Sequence, residues 1–471
     1  MAKKRPSEYF FTTKKNMLYN KQYWFYRIVT GLILLAAACV SKQKVGGLVT
    51  PNDQPNLRYK YEFDFDTREN VQKQIQKLGS LNNAQSQDAF IRMLIAFRNL
   101  KRNLKEDELL LPSEAKTKVR LASFCLASSK AAPEENEIFK WTKGSPSIPL
   151  VKQVLKFYAQ TGNKDQVSFQ ELLWNLGNKT YYEDYPRNLR TIIDKIAPSA
   201  KFTLPSRIKD KIGDEVIPDE IKDALELAQG KYHSLMEFKS LIEQKKSKIS
   251  LPKDHLVSKI PDTDLFASSE SHGYDTQAIS FYNPSHNSIP VNLNDFYLQP
   301  VRPDVQPIIM ASVIPYLDEI QKILEKTSLK MLGYLGSQYP TLNSSEKQLV
   351  KENPIDAAIG FYDAMTAERN GDHFFPNSGQ NGESDAFRHF VWAGLMTRDL
   401  GETTAKKFLD AHELAPNQPP EEKAMDEFNN DRGVRAGLEM KHFSNQELFD
   451  RATKEIDEGK LRILQPGKTH Q

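Results

Sequence analysis

The chain has 471 residues, a formal net charge of +3, 39% hydrophobic residues and 27% charged residues. That length exceeds one ordinary core and implies more than one domain, while the balance of apolar and charged residues excludes a disordered chain and a multi-span membrane protein. The near-zero net charge excludes a whole-chain electrostatic footprint for nucleic acid, so no nucleic-acid partner is expected.

The first 27 residues are rich in lysine, arginine and aromatics, and an uncharged apolar run, IVTGLILLAAACV, follows from Ile28 to Val40. The run is shorter than the ~20 residues that span a bilayer and suits the core of a secretory signal. Ala36, Ala37 and Ala38 precede Cys39, and this ending resembles a bacterial lipoprotein processing box. The resemblance implies a signal peptide over 1–38, lipidation of Cys39 and a protein of the cell envelope, exported from the cytoplasm and membrane-anchored through its N-terminal lipid. An uncleaved signal anchor is the alternative.

Residues 39–66 read as a tether that ends in a strand-like stretch, NLRYKYEFDF. A helical domain over 67–250 follows. Apolar residues at Phe90, Met93, Leu94, Phe97 and Leu100 keep helical spacing within Ser86–Leu104. Further helices are expected over Pro149–Ala159, Val167–Gly177, Asn188–Ile196 and Pro218–Lys245. From 251 to 302 the composition turns to Ser, Asn, Asp, Pro and aromatics with no sustained period, as in a linker or irregular arm. A C-terminal helical domain over 303–471 completes the chain. Its helices are expected over Ile308–Leu335, broken at Pro315, and over Ile355–Arg369, Ser384–Leu400, Thr403–Leu414 and Glu421–Met440. The expected fold class is mainly α: two helical blocks joined by a long irregular linker, with little β structure.

Two cysteines cannot build a disulfide framework, so Cys39 and Cys125 need separate explanations. Phe124-Cys125-Leu126 is followed by Phe169-Gln170-Glu171-Leu172-Leu173-Trp174, a pairing that resembles the thioester domains of bacterial surface adhesins. The resemblance covers about 120–186 and implies an internal thioester between Cys125 and Gln170. Such an activated acyl group would be captured by an amine or hydroxyl of a cell-surface or envelope partner. A buried free cysteine acting as a small hydrophobe is the alternative.

The C-terminal part reads NGESDAFRHFVWAGLMTRDLG, AKKFLDAHELAP and KAMDEFNNDRGVRAG. These segments resemble an uncharacterised bacterial domain family of secreted and toxin-like proteins, with D-A-F-R-H, A-H-E and M-D-x-x-N-N-x-x-G elements. The resemblance names Asp385, Arg388, His389, His412, Glu413, Asp426, Asn429 and Asn430 as candidate site residues and names no reaction. Read from the residues, Ser384 suits a helix N-cap, and Asp385 and His389 share one face. Asp426, Asn430, Gly433 and Gly437 share a stripe, with glycines that admit a neighbouring helix. Glu413 points about 100° away from His412. Asp385, His389, His412, Asp426 and Asn430 would then meet at one spot. That set suits acid–base hydrolysis, or a divalent metal held by His389, His412 and Asp426; spacing does not choose. A buried polar network that fixes helix packing is the third reading. The functional expectation is a lipid-anchored hydrolase or toxin-like effector of undefined substrate and oligomeric state, with a thioester adhesin or non-catalytic interaction protein as the alternative.

Overall fold

The computed structural model describes residues 57–465, apart from 207–256 and short stretches at 103, 105–106, 129, 135–136, 145–149, 162–164, 200–203, 273–274, 337–341, 415, 417 and 441–442. The lipidation candidate Cys39 and the expected helix over 218–245 lie outside the described residues.

The chain enters through β1 (Tyr61–Phe65), α1 (Arg68–Leu78) and α2 (Ala84–Arg102), then β2 (Glu108–Leu111), β3 (Ala115–Cys125) and β4 (Phe139–Lys143). In β3 the sequence AKTKVRL alternates buried and half-buried residues, as a strand with one face in a core must. Past Leu121 the strand is buried on both faces. Helices α3 (Val151–Thr161), α4 (Gln166–Gly177) and α5 (Arg187–Ile196) cover that end. Phe124 packs edge-on against Tyr158 with ring centroids 5.1 Å apart, and Phe169 closes the cluster 5.0 Å from Tyr158.

The stretch expected as an irregular linker instead supplies strands β5 (Ser258–Lys259), β6 (Phe266–Ser271), β7 (Thr276–Asn283), β8 (Ile289–Asn292) and β9 (Phe296–Pro300), and β10 (Ile308–Met310) follows just beyond it. The hydrogen-bonded order is β4-β9-β10-β3-β7-β6-β5, with β1 added parallel to β3 beside β10, and β2 pairs separately with β8. Strand β3 pairs antiparallel with β7 over eight residues, from Ala115 opposite Asn283 to Ala122 opposite Thr276. The sheet curls until its edges approach: Lys143 at the end of β4 and Asp262 before β6 form an ion pair of 2.6 Å. Trp141, Phe281 and Phe296 fill the interior, with ring centroids 5.8 and 5.9 Å from Trp141. The expectation of a mainly α chain with little β structure is therefore overturned: among the described residues 55% are helical and 17% lie in strands, around a nearly closed antiparallel barrel.

Helices α6 (Leu317–Gly336), α7 (Ser344–Glu352), α8 (Pro354–Phe374), α9 (Glu383–Leu400), α10 (Glu402–His412), α11 (Pro420–Met440) and α12 (Asn445–Asp457) form the C-terminal part. The expected helix over 308–335 splits into β10 and α6, because Pro315 and the preceding residues belong to the sheet's exit. Helix α9 is buried nearly all round, and α8, α10, α11 and α12 surround it. A single apolar core runs from the sheet through α2 and α6 into α8 and α9, so the two parts are not separate blocks. Arg98 on α2 bridges them: it pairs with Asp356 at 2.8 Å and donates to the last carbonyl of α9, Leu400 O, at 2.6 Å. An arginine at a helix C-terminus meets both the orphan carbonyls and the negative end of the dipole. Among the described residues no helix is long and apolar enough to cross a membrane.

Candidate metal centre and its cavity

Helix α9 begins two residues earlier than a Ser384 cap would allow. Gly382 stands at the N-cap, and Ser384 is buried in the first turn with its N–H donating to Ser378 Oγ. Asp385 thereby keeps its place at the positive end of the dipole, one turn before His389 on the same face. Helix α11 presses closely on this face. A Cβ added at Gly433 would lie 2.2 Å from Phe390 O, and one at Gly437 2.8 Å from Gly394 O. Only glycine permits that approach, which carries Asp426 and Asn430 to His389.

The resulting cluster is buried. His389 Nε2 lies 3.5 Å from Asp385 Oδ1 and 3.3 Å from Asp426 Oδ1, and these three ligand atoms gather within 4.8 Å of one another. Each inward atom has its opposite number already engaged. Asp385 Oδ2 accepts from the Asn381 N–H at 2.7 Å, and Asp426 Oδ2 accepts from Gln418 Nε2 at 2.8 Å. His389 Nδ1 lies 3.2 Å from Asn430 Oδ1, while Asn430 Nδ2 donates to Glu413 Oε1 at 2.9 Å. With the amide donating to Glu413, its oxygen faces the ring, so His389 carries a proton on Nδ1 and turns Nε2 toward the two carboxylates. Asp426 Oδ1 is buried without a hydrogen-bond partner. Arg388 donates to Asp385 Oδ1 from the cluster's outer edge.

Electrostatics sort the carboxylates. Burial works against a charged Asp385, but the hydrogen bond with His389 and the Arg388 charge outweigh it and draw the group down to about 2. Burial dominates at Asp426, and with Glu413 and Asp385 nearby it rises to about 6 despite the opposing His389. Burial alone would depress His389; the hydrogen bond to Asp385 and the charges of Asp426, Asp385 and Glu413 instead raise it. Three carboxylates and one arginine leave a formal charge of −2, which a divalent cation cancels with the imidazole neutral.

The structure thus brings together Asp385, Arg388, His389, Glu413, Asp426 and Asn430. It separates two other candidates. Asn429 points away, and its amide clasps the backbone of Arg462, donating to Arg462 O at 3.0 Å and accepting from Arg462 N–H at 2.9 Å. His412 is half exposed, pairs with Glu346 at 2.9 Å and has its ring centroid 6.2 Å from that of His389. Glu413, the residue after α10, takes the inward position instead. Metal-ligand geometry therefore falls on Asp385, His389 and Asp426 rather than on His412. Sequence reasoning did not single out Asn381 and Gln418, which lie in loops without periodicity; the Asn381-Gly382 pair, with Asn381 at φ +66°, is the one local signal of a tight turn.

A cavity of about 330 Å³ opens beside the cluster. Arg388, His389, Trp392, His412, Glu346 and Glu368 contribute to its wall, and the rest is apolar. The Trp392 indole donates to Gly360 O at 2.9 Å and stands edge-on to His412.

The second candidate pair also meets, through a different contact. Gln170 Oε1 accepts from the Cys125 N–H and Gln170 Nε2 donates to Cys125 O, both at 2.8 Å. The amide continues the end of β3 as a one-residue strand would. Cys125 is fully buried, and burial pushes its thiol up, away from the thiolate form that attacks an amide.

Residues 347–460 match a family model described as Domain of unknown function (DUF6973). The match contains every residue of the buried cluster, so the C-terminal part of this chain carries a domain of unknown function. No curated protein and no solved structure matches the chain.

Proposed function

We propose that the C-terminal helical domain is a divalent-cation-dependent hydrolase. The observation that carries this reading is the unpartnered, buried Asp426 Oδ1, aimed at the point faced by His389 Nε2 and Asp385 Oδ1. A tetrahedral ion with bonds of ~2.0–2.1 Å holds its ligands roughly 3.3 Å apart, close to the 3.3 and 3.5 Å separations at Nε2. One imidazole and two carboxylates suit Zn²⁺ or Mn²⁺ better than Ca²⁺. The contacts of Asn430, Gln418 and Asn381 are the outer partners that fix ligand orientation in metal sites.

Such an ion supplies an acidified water and an electrophile for a carbonyl or phosphoryl oxygen. The chain's own residues do the remainder. Asn430 fixes the His389 tautomer, Glu413 fixes Asn430, and Arg388 brings a permanent positive charge to the cavity wall, suited to charge that develops on a substrate oxygen. Titration calorimetry on the chelator-treated full chain is expected to show one Zn²⁺ or Mn²⁺ per chain. At a hundredfold excess over Kd the ion should stabilise the fold by about 2.7 kcal/mol. A chain that neither binds an ion nor gains melting temperature would remove the reading.

We further propose that this domain works at the cell envelope, held there by a lipid on Cys39. Support comes from the apolar run over 28–40 and the three alanines before Cys39; a multiply acylated N-terminus anchors stably. Cells fed an alkyne-tagged palmitate are expected to label the wild-type chain and not Cys39→Ser. Equal labelling of both chains would place the lipid elsewhere.

A further inference from the structure

The cavity beside the cluster has a polar end and an apolar body, and the antiparallel packing of α8 and α9 shows which is which. Gly371 on α8 faces Ser384 on α9, and Gly360 faces Met396. Glu368 therefore lies level with Arg388 and His389, with Met365 just past them and Phe361 about a turn further along the wall, while Glu346 and His412 on α7 and α10 are occupied with each other. Leu332 of α6, Leu342, Val350 of α7 and Phe408 of α10 complete the apolar part. From Ala357 to Met365 the wall runs roughly 12 Å along α8 at 1.5 Å per residue. A volume of about 330 Å³ sits at the lower end of the range for small-molecule sites.

We propose that this cavity receives one linear hydrocarbon chain, and that the substrate is a single-chain acyl ester whose carbonyl rests at the Arg388–His389 end. This rests on the hydrolase reading and names its substrate class. The chemistry on the walls selects the occupant. A peptide would bring backbone donors and acceptors that the apolar body could not satisfy, at a cost per unpaired group that rules out tight binding. A saturated chain asks for nothing but apolar surface, and each buried methylene strengthens its binding. The reaction balances without a further reagent: water oxygen bonds to the acyl carbon, the carbon–oxygen ester bond breaks, and the water's protons end on the alcohol and the bulk solvent, leaving a carboxylate.

Two measurements on the full, cation-loaded chain test the inference separately from the hydrolase reading. The first is displacement of a dansylated undecanoate by dodecanoate; the second is hydrolysis of nitrophenyl acetate, butyrate, octanoate and dodecanoate. Displacement is expected, and kcat/KM should rise ~10-fold or more from acetate to octanoate, chiefly through KM, as methylenes enter the apolar body. Ala364→Trp, which fills the cavity from α8, should flatten that rise and abolish the displacement, while Zn²⁺ affinity on the same sample reports that the centre persists. Val350→Glu, from the opposite wall, is expected to do the same if Ala364→Trp fails to fold. Hydrolysis that ignores chain length, or no displacement by dodecanoate, overturns the acyl inference and leaves the hydrolase reading standing. Displacement with no ester hydrolysed keeps the acyl cavity and overturns the hydrolase reading.

Discussion

Asp426→Ala is expected to lose divalent-cation binding and, with it, all hydrolytic turnover. The substitution removes a ligand atom, so its effect should exceed the roughly 10- to 100-fold loss that follows removal of an outer partner, which is the range expected for Asn430→Ala and Gln418→Ala. The apo fold should survive, and its response to pH makes the test sharper. In the apo protein Asp426 sits near 6 and His389 is raised. Both groups hold more protons folded than unfolded, so they lend stability that is lost as pH climbs, from about 4 through about 6 for Asp426 and above the ordinary imidazole value for His389. For Asp426 this is on the order of 1–3 kcal/mol. Asp385 behaves oppositely, but only between its unfolded value and about 2. With Zn²⁺ present the slope should reverse, because the ion competes with protons for the same carboxylate and imidazole and binds more tightly as they leave. Melting curves between pH 5 and 8, with and without Zn²⁺, give both slopes. Wild-type slopes that run parallel, or an Asp426→Ala chain that still binds Zn²⁺ like wild type, would exclude this residue as a ligand.

Gly433→Ala should be the most damaging single-atom change in the C-terminal part. Its new Cβ would stand 2.2 Å from Phe390 O and 2.8 Å from Ala393 Cβ. A backbone carbonyl cannot rotate away, so α11 must lift from α9. Overpacking against an immovable backbone carbonyl sits at the upper end of its range, about 3 kcal/mol, or a melting temperature lower by roughly 6–12 °C. The same displacement draws Asp426, two turns earlier on α11, away from His389, so cation affinity should fall with stability. Gly333→Ala is the control: nothing lies within 4 Å of its added Cβ, and alanine favours the helix by up to ~1 kcal/mol. Equal melting temperatures for the two variants would mean that α9 and α11 do not touch as described.

Most of the helices announce themselves because each pays a debt to one buried face, and a 3.6-residue period is written locally. The sheet does not. Strand β7 reads TQAISFYN and is buried almost throughout, so it shows no alternation. Strands β8 and β9 carry Pro290 and Pro300, residues that argue against a strand when neighbours are unknown. Their partners lie far off in sequence: β7 pairs with a strand more than 150 residues earlier, a relation no window of residues contains. The cluster was more legible, since Asp385, His389, Asp426 and Asn430 sit at helical spacing on two faces that glycines force together. The choice between His412 and Glu413 was not legible. Helix α10 ends between them, and the cap of α7 decides the matter: Asn343 donates to Ala411 O at 2.6 Å and Glu346 takes His412 toward the cavity.

The turn that holds Asp385 is itself held from the far side. Asn381 N–H reaches Asp385, while Asn381 O accepts from Leu464 and Gln465, both at 2.9 Å, and Asn429 clasps Arg462 next to them. Backbone groups of residues 462–465 thus buttress both the turn that orients Asp385 and the helix that carries Asp426, so a ligand set drawn from two helices depends for its geometry on a third segment that supplies no ligand.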